Sequence, residues 1–207
     1  LNGLLAAAAV VVNLYQFLYL PLFLLPASDL WLATLLPCAL LSNSLWYLAH
    51  EAFHRNLHPA VRINEGLGRM LAVFFGAPYH VVRFGHLMHH RFNGALIDRP
   101  DLYDPATTSR TRAVVRYYWV IFIGLYASEL LSVLLFFLPR PALIVATRFI
   151  FSGADAASRT MREAAIKSLM NSRTLRSIRL DSLAICLLFA GSITLYHPFW
   201  HALLFIL

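Results

Sequence analysis

Nine histidines occur in 207 residues, and five of them fall into two tight groups. The first group is His50-Glu51-Ala52-Phe53-His54. On a helix, residues four apart share a face, with Cβ atoms about 5–6 Å apart. The second is His86-Leu87-Met88-His89-His90, where positions i, i+3 and i+4 again share one face. Imidazole is a good ligand for iron and zinc. Five imidazoles arranged on two such faces predict metal binding, and their number suggests two metals. Glu51, Asp98, Asp101 and Asp104 are candidate outer partners, because a carboxylate that accepts the second ring N–H orients a ligating imidazole. Turn and cap roles in a solvated loop are the plainer reading of the three aspartates.

The remaining histidines carry less. His58 and His80 stand singly, and a lone imidazole near a membrane interface is an ordinary amphipathic residue. His197-Pro198-Phe199-Trp200-His201 has a ligand spacing, but it encloses a proline and lies in an apolar run. His58, His197 and His201 are therefore weak ligand candidates. His50-Glu51-x-x-His54 also fits the zinc-protease pattern of two ligands and a general base. That site needs only one more ligand and leaves the second cluster unexplained.

The elements that must position these groups are apolar. The chain is 59% hydrophobic and 13% charged, against about 25% charged in ordinary soluble chains. Mean hydropathy is +0.65. A membrane-spanning helix needs about 20 apolar residues. Leu4–Leu25 and Leu30–Leu48 meet this length and predict a hairpin, with Pro26, Ser28 and Asp29 in its turn. Tyr117–Leu138 predicts a third span and Ser182–Leu207 a fourth. The interlude Leu67–Phe75 is too short to cross and predicts an interfacial helix closed by Gly76-Ala77-Pro78. Asp98 to Thr108 reads as a loop. Ala142–Phe151 is a shorter apolar piece interrupted by Arg148, and the topology between residues 139 and 158 stays open.

Charge places the loops. Residues 1–54 contain no Lys or Arg, nine arginines fall between Arg55 and Arg116, and six basic residues between Arg159 and Arg179. Basic blocks beside apolar runs predict cytoplasmic, headgroup-facing loops. The turn of the first hairpin then lies on the opposite side, and the histidine clusters face the cytoplasm. The net charge of +7 does not predict nucleic-acid binding, because the basic residues flank apolar segments instead of forming one soluble face. Cys38 and Cys186 lie in apolar runs and read as buried structural residues. The expected fold is an all-α integral membrane protein of about four transmembrane helices in hairpins, with interfacial helices carrying the histidines. It forms one domain over 1–207: a hairpin at 1–49, the histidine region at 50–116, and a second membrane region at 117–207 with a basic surface helix near 155–181.

With this layout in view, the sequence resembles the membrane-bound fatty acid desaturases and related hydroxylases. The likeness rests on His50-x-x-x-His54 after a membrane hairpin and on the interval of roughly 30 residues with its apolar helix. It continues in Gly85-His86-Leu87-Met88-His89-His90-Arg91-Phe92-Asn93 and in the loop Asp101-Leu102-Tyr103-Asp104-Pro105. It is motif-specific over about residues 46–105. The resemblance implies two non-haem irons held by His50, His54, His86, His89 and His90, with O₂ as co-substrate. It implies a long acyl or related lipid substrate, desaturated or hydroxylated, and a separate electron donor of ferredoxin, rubredoxin or cytochrome type. The family pattern includes a third His-x-x-His-His box, which residues 1–207 do not contain; it either lies beyond Leu207 or is lacking. A noncatalytic membrane subunit that keeps the fold and packs against other membrane proteins is the alternative from a different class.

Overall fold

The computed structural model describes residues 1–95, 98–99, 101–153 and 155–200, and every regular element among them is helical. The chain opens with α1, Asn2–Leu14, and continues without a break as a π-helix over Tyr15–Leu24. The wider register brackets Pro21, which has no N–H to give and whose ring crowds the preceding turn. Together they make 23 residues of membrane length. Ser28 closes the turn by accepting a hydrogen bond from the Leu30 amide at 3.2 Å. A 3₁₀ segment (Asp29–Thr34), α2 (Leu35–Ser42) and α3 (Ser44–Phe53) follow and form the second candidate span, Asp29–Phe53.

Next come α4 (Val61–Phe75), α5 (Tyr79–Phe92) and α6 (Arg110–Trp119), the last followed by a short π segment. Then come α7 (Leu125–Leu135), α8 (Arg140–Ile150), α9 (Ala156–Leu169) and α10 (Ser172–Tyr196). Among the described residues, three helices are long and apolar enough to cross a membrane: Asn2–Leu24, Asp29–Phe53 and Ser172–Trp200. Arg110–Gly124 with Tyr126–Leu135 makes a fourth only as a pair, bent by 51°. The many exposed leucines, valines and phenylalanines on these elements, such as Leu36, Leu40, Phe122 and Leu187, suit a lipid-facing surface.

Three expectations change. The interfacial helix is longer than Leu67–Phe75 and begins at Val61. Arg62 and Glu65 point outward on it, while Asn64, Gly68, Leu71 and Ala72 share its buried face. The helix expected near 155–181 is two helices. Asp155 starts α9 by accepting from the Ser158 amide at 2.9 Å, and Asn171 starts α10 by accepting from the Thr174 amide at 2.9 Å. Two side-chain caps make two helix starts, so the last apolar helix begins at Ser172, ten residues before the expected span. The span expected over Tyr117–Leu138 falls on a pair of helices bent by 51°. Residues 201–207, the end of the expected fourth span, lie outside the described residues. Cys38 is buried as expected, whereas Cys186 is half-buried.

Tertiary contacts divide the chain into two compact units. The first comprises Leu1–Tyr79 and Asp181–Leu207. Phe17 packs against Phe74 and Phe189, with ring centroids 6.0 and 5.6 Å away. Leu20, Leu25, Leu35 and Tyr196 form a second apolar knot, and the Tyr196 hydroxyl donates to the Gln16 carbonyl. Inside the first span, Gln16 Nε2 donates to Asn13 Oδ1 at 2.8 Å and to Ser42 Oγ at 3.2 Å, so these buried amides are satisfied by partners on the hairpin. A Cβ on Gly68 would stand 2.7 Å from Ala52 Cβ and 2.6 Å from the Tyr79 ring, so glycine lets α4 close onto α3.

The second unit comprises His80–Leu180. Its core joins Phe136, Leu143, Ala165, Leu169, Met170, Leu175 and Ile178. Arginines secure the helix ends there. Arg179 donates to the carbonyls of Phe136 (3.0 Å) and Leu138 (2.9 Å) after α7, and Arg140 donates to Met170 O (2.9 Å) after α9. Cations on terminal carbonyls satisfy orphan acceptors and favour the negative end of the helix dipole.

Candidate metal centre

The first histidine pair sits where α3 ends. His50 is in its last turn and His54 is the residue that terminates it. The end is a Schellman turn: the Asn56 amide bonds Glu51 O at 2.8 Å and the Arg55 amide bonds Ala52 O at 3.1 Å. Arg55 takes the left-handed position with φ 65°, which glycine usually fills. Arg55→Gly is therefore expected to raise unfolding stability by about 0.5–1 kcal/mol, read by thermal or denaturant unfolding. The two rings stand 4.7 Å apart between centroids. Glu51 Oε1 lies 3.6 Å from His50 Nδ1.

Buried groups fix this helix end. Asn64, 2% exposed, is the centre. Its Oδ1 accepts from the amides of Leu57 (3.1 Å) and His58 (3.2 Å), and its Nδ2 donates to Ala52 O (2.9 Å). The Tyr79 hydroxyl donates to the same carbonyl at 3.0 Å. One amide side chain on α4 thus ties the last turn of α3 to the loop that leaves it. Neither Asn64 nor Tyr79 was singled out from the sequence. The signal available was an asparagine on the apolar face of an amphipathic helix, which needs partners when buried.

The second cluster lies on α5. His86 Nε2 and His90 Nε2 face each other at 3.0 Å, with ring centroids 4.5 Å apart. His89 lies 5.8 Å from His90 and 6.5 Å from His86 between ring centroids. His89 Nδ1 is 2.6 Å from Asp98 Oδ2. Asp98 is 16% exposed, so its carboxylate is held against the ring and not loose in solvent. An imidazole that donates from Nδ1 keeps its Nε2 lone pair. His89 then offers the same ring atom that His86 and His90 turn toward each other.

The other candidates separate cleanly. Arg99 Nε donates to Asp101 Oδ1 at 2.8 Å, and this hydrogen bond holds the Asp101 carboxyl below its ordinary range. Asp104 Oδ1 accepts from the Ala106 amide at 2.9 Å in a turn. These two aspartates take the plainer loop roles. His58 Nδ1 accepts from the Ala60 amide at 3.0 Å, just before α4. His197 is exposed after α10, and His201 lies outside the described residues. Among the described residues, neither His58 nor His197 joins a metal-holding group.

In both pairs, His50 with His54 and His86 with His90, a ring nitrogen of each residue lies within 4.8 Å of one of its mate. Imidazoles with a supporting carboxylate suit iron, as they do zinc; the residues that could hold metal are His50 and His54 on α3 and its end, and His86, His89 and His90 on α5.

The family model described as fatty acid desaturase matches residues 29–207. Delta(12) fatty acid desaturases of Mortierella isabellina and Mortierella alpina are each 28% identical over 80 residues. That stretch is 39% of this chain and 20% of each relative, so the match spans a fifth of the relatives' length. No solved structure matches at a significant level. With the family model covering most of the residues, both histidine clusters included, the chain belongs to the fatty acid desaturase family.

Proposed function

We propose that the protein is a membrane di-iron oxidoreductase that uses O₂ to desaturate, or hydroxylate, a long acyl chain or similar lipid. The observation that carries this reading is the presentation of ring nitrogens on α5: His86 and His90 turn Nε2 to one point, and Asp98 leaves His89 with the same atom free. In the proposed function both histidine clusters supply metal ligands. Bound iron would supply the O₂-dependent removal of hydrogen from an unactivated C–H bond.

The chain's own residues do the rest. Asp98 keeps His89 in one tautomer and one orientation. Asn64 and Tyr79 keep the end of α3, and with it His54, in place. Glu51 is the proposed outer partner of His50. The apolar spans provide a dry surface for an acyl chain, and the arginines between Arg55 and Arg116 favour a cytoplasmic position for the centre. Electrons come from a separate ferredoxin, rubredoxin or cytochrome-type donor.

The test is elemental analysis of the purified full-length protein with an acyl-chain product assay. Two irons per chain and O₂-dependent product are expected. A single zinc would favour the protease pattern at His50 and His54, and a metal-free protein would favour a noncatalytic subunit. Asp98→Ala is expected to weaken iron retention by about 10- to 100-fold without abolishing it, as loss of an outer partner does. Unchanged retention would remove Asp98 from the site.

A further inference from the structure

A polar cavity lies wholly within the unit His80–Leu180 and touches none of the histidines. It measures about 530 Å³ and is lined by Arg140, Met170, Asn171, Ser172, Leu175, Arg176 and Arg179. Three of its lining residues are arginines and none is acidic. Two of the guanidinium groups are held in place by neutral carbonyls. Arg140 Nε bonds Met170 O, and Arg179 bonds the carbonyls of Phe136 and Leu138. Those bonds orient the side chains but do not cancel their charge, and further N–H donors remain on each fork. Arg176 is exposed and makes no hydrogen bond or ion pair among the described residues. The first turn of α10 adds the positive end of a 25-residue helix.

Three like charges around one cavity with no carboxylate call for an anion. Guanidinium forks match phosphate oxygens in geometry as well as charge. The cavity opens at the first turn of Ser172–Trp200, a helix of membrane length. Leu180 lies one turn beyond Arg176 on the same face and is 55% exposed. A cationic pocket followed by an exposed apolar face on one helix suits an amphiphile better than a soluble anion. We infer that this cavity binds the phosphate headgroup of an anionic membrane lipid, with Arg140, Arg176 and Arg179 on the phosphate and the acyl chains running along Leu180.

The test uses the full-length protein in nanodiscs of phosphatidylcholine with or without phosphatidylglycerol, with lipid retention read by native mass spectrometry. Arg140 and Arg179 also close helix ends, so the informative variant is Arg176→Gln, which breaks no internal bond. Arg173→Gln, exposed on the same helix but outside the cavity, makes the same charge change. Wild type and Arg173→Gln are expected to retain phosphatidylglycerol equally, and Arg176→Gln about five-fold less, the worth of one cation near an anionic surface. Equal retention by all three proteins would overturn the inference. Equal loss in both variants would do the same, reducing the effect to general surface charge. Displacement of the lipid by millimolar inorganic phosphate would overturn the lipid assignment in favour of a soluble anion. None of these readouts depends on iron or turnover.

Discussion

Replacing His86 or His90 by alanine is expected to strip the purified protein of iron and to abolish turnover. The two Nε2 atoms face each other at 3.0 Å, so removing either ring takes away a donor that nothing nearby on α5 replaces. The expected loss of metal affinity exceeds the roughly 100-fold that removal of an outer partner can cost. Alanine is a better helix former than histidine, so α5 should persist, and circular dichroism would check that it does. His197→Ala is the matched control, because His197 is exposed outside the cluster. Full iron content in His86→Ala would sink the proposed ligand set. Iron loss in His197→Ala would bring the His197 and His201 pair into it.

Asn64→Ala should be the most destabilising single change near the first cluster. It leaves the buried Leu57 amide and the half-buried His58 amide without their acceptor. Each orphaned buried group costs about 1–3 kcal/mol, so a loss of about 3 kcal/mol is expected. Thermal unfolding in detergent would measure it. Because Asn64 also holds Ala52 O, two residues before His54, iron retention should fall with stability. Asn64→Asp keeps the acceptor and should recover part of the loss. Asn56→Ala, at an exposed position in the same loop, should change little. If Asn64→Ala behaves like Asn56→Ala, the helix end is held by its Schellman turn alone.

Much of this protein was readable from residue order because the relevant forces are local. Length and apolarity determine which helices can cross a bilayer, and Asn2–Leu24 and Asp29–Phe53 lie close to the expected hairpin. Helical spacing alone puts His50 beside His54, and His86 beside His90. Gly76, with φ 90°, ends α4 at the expected place because glycine adopts the left-handed cap without strain.

The rest depended on partners far along the chain. Spacing could not choose among Asp98, Asp101 and Asp104. Folding gives Asp98 to His89 and leaves Asp101 to Arg99 and Asp104 to its own turn. Composition could not separate a basic surface helix from the start of a membrane-length one. The Asp155 and Asn171 caps divide them, and Arg140 and Arg179 close the neighbouring helix ends. Nor could it show that Asn64 answers to Ala52, Leu57 and His58. Residue order specified the first hairpin and the two imidazole faces, because periodicity and hydropathy act over a few residues. Folding chose which carboxylate orients an imidazole and what anchors the end of α3, because a buried polar group takes whichever partner the packed chain brings within hydrogen-bond reach.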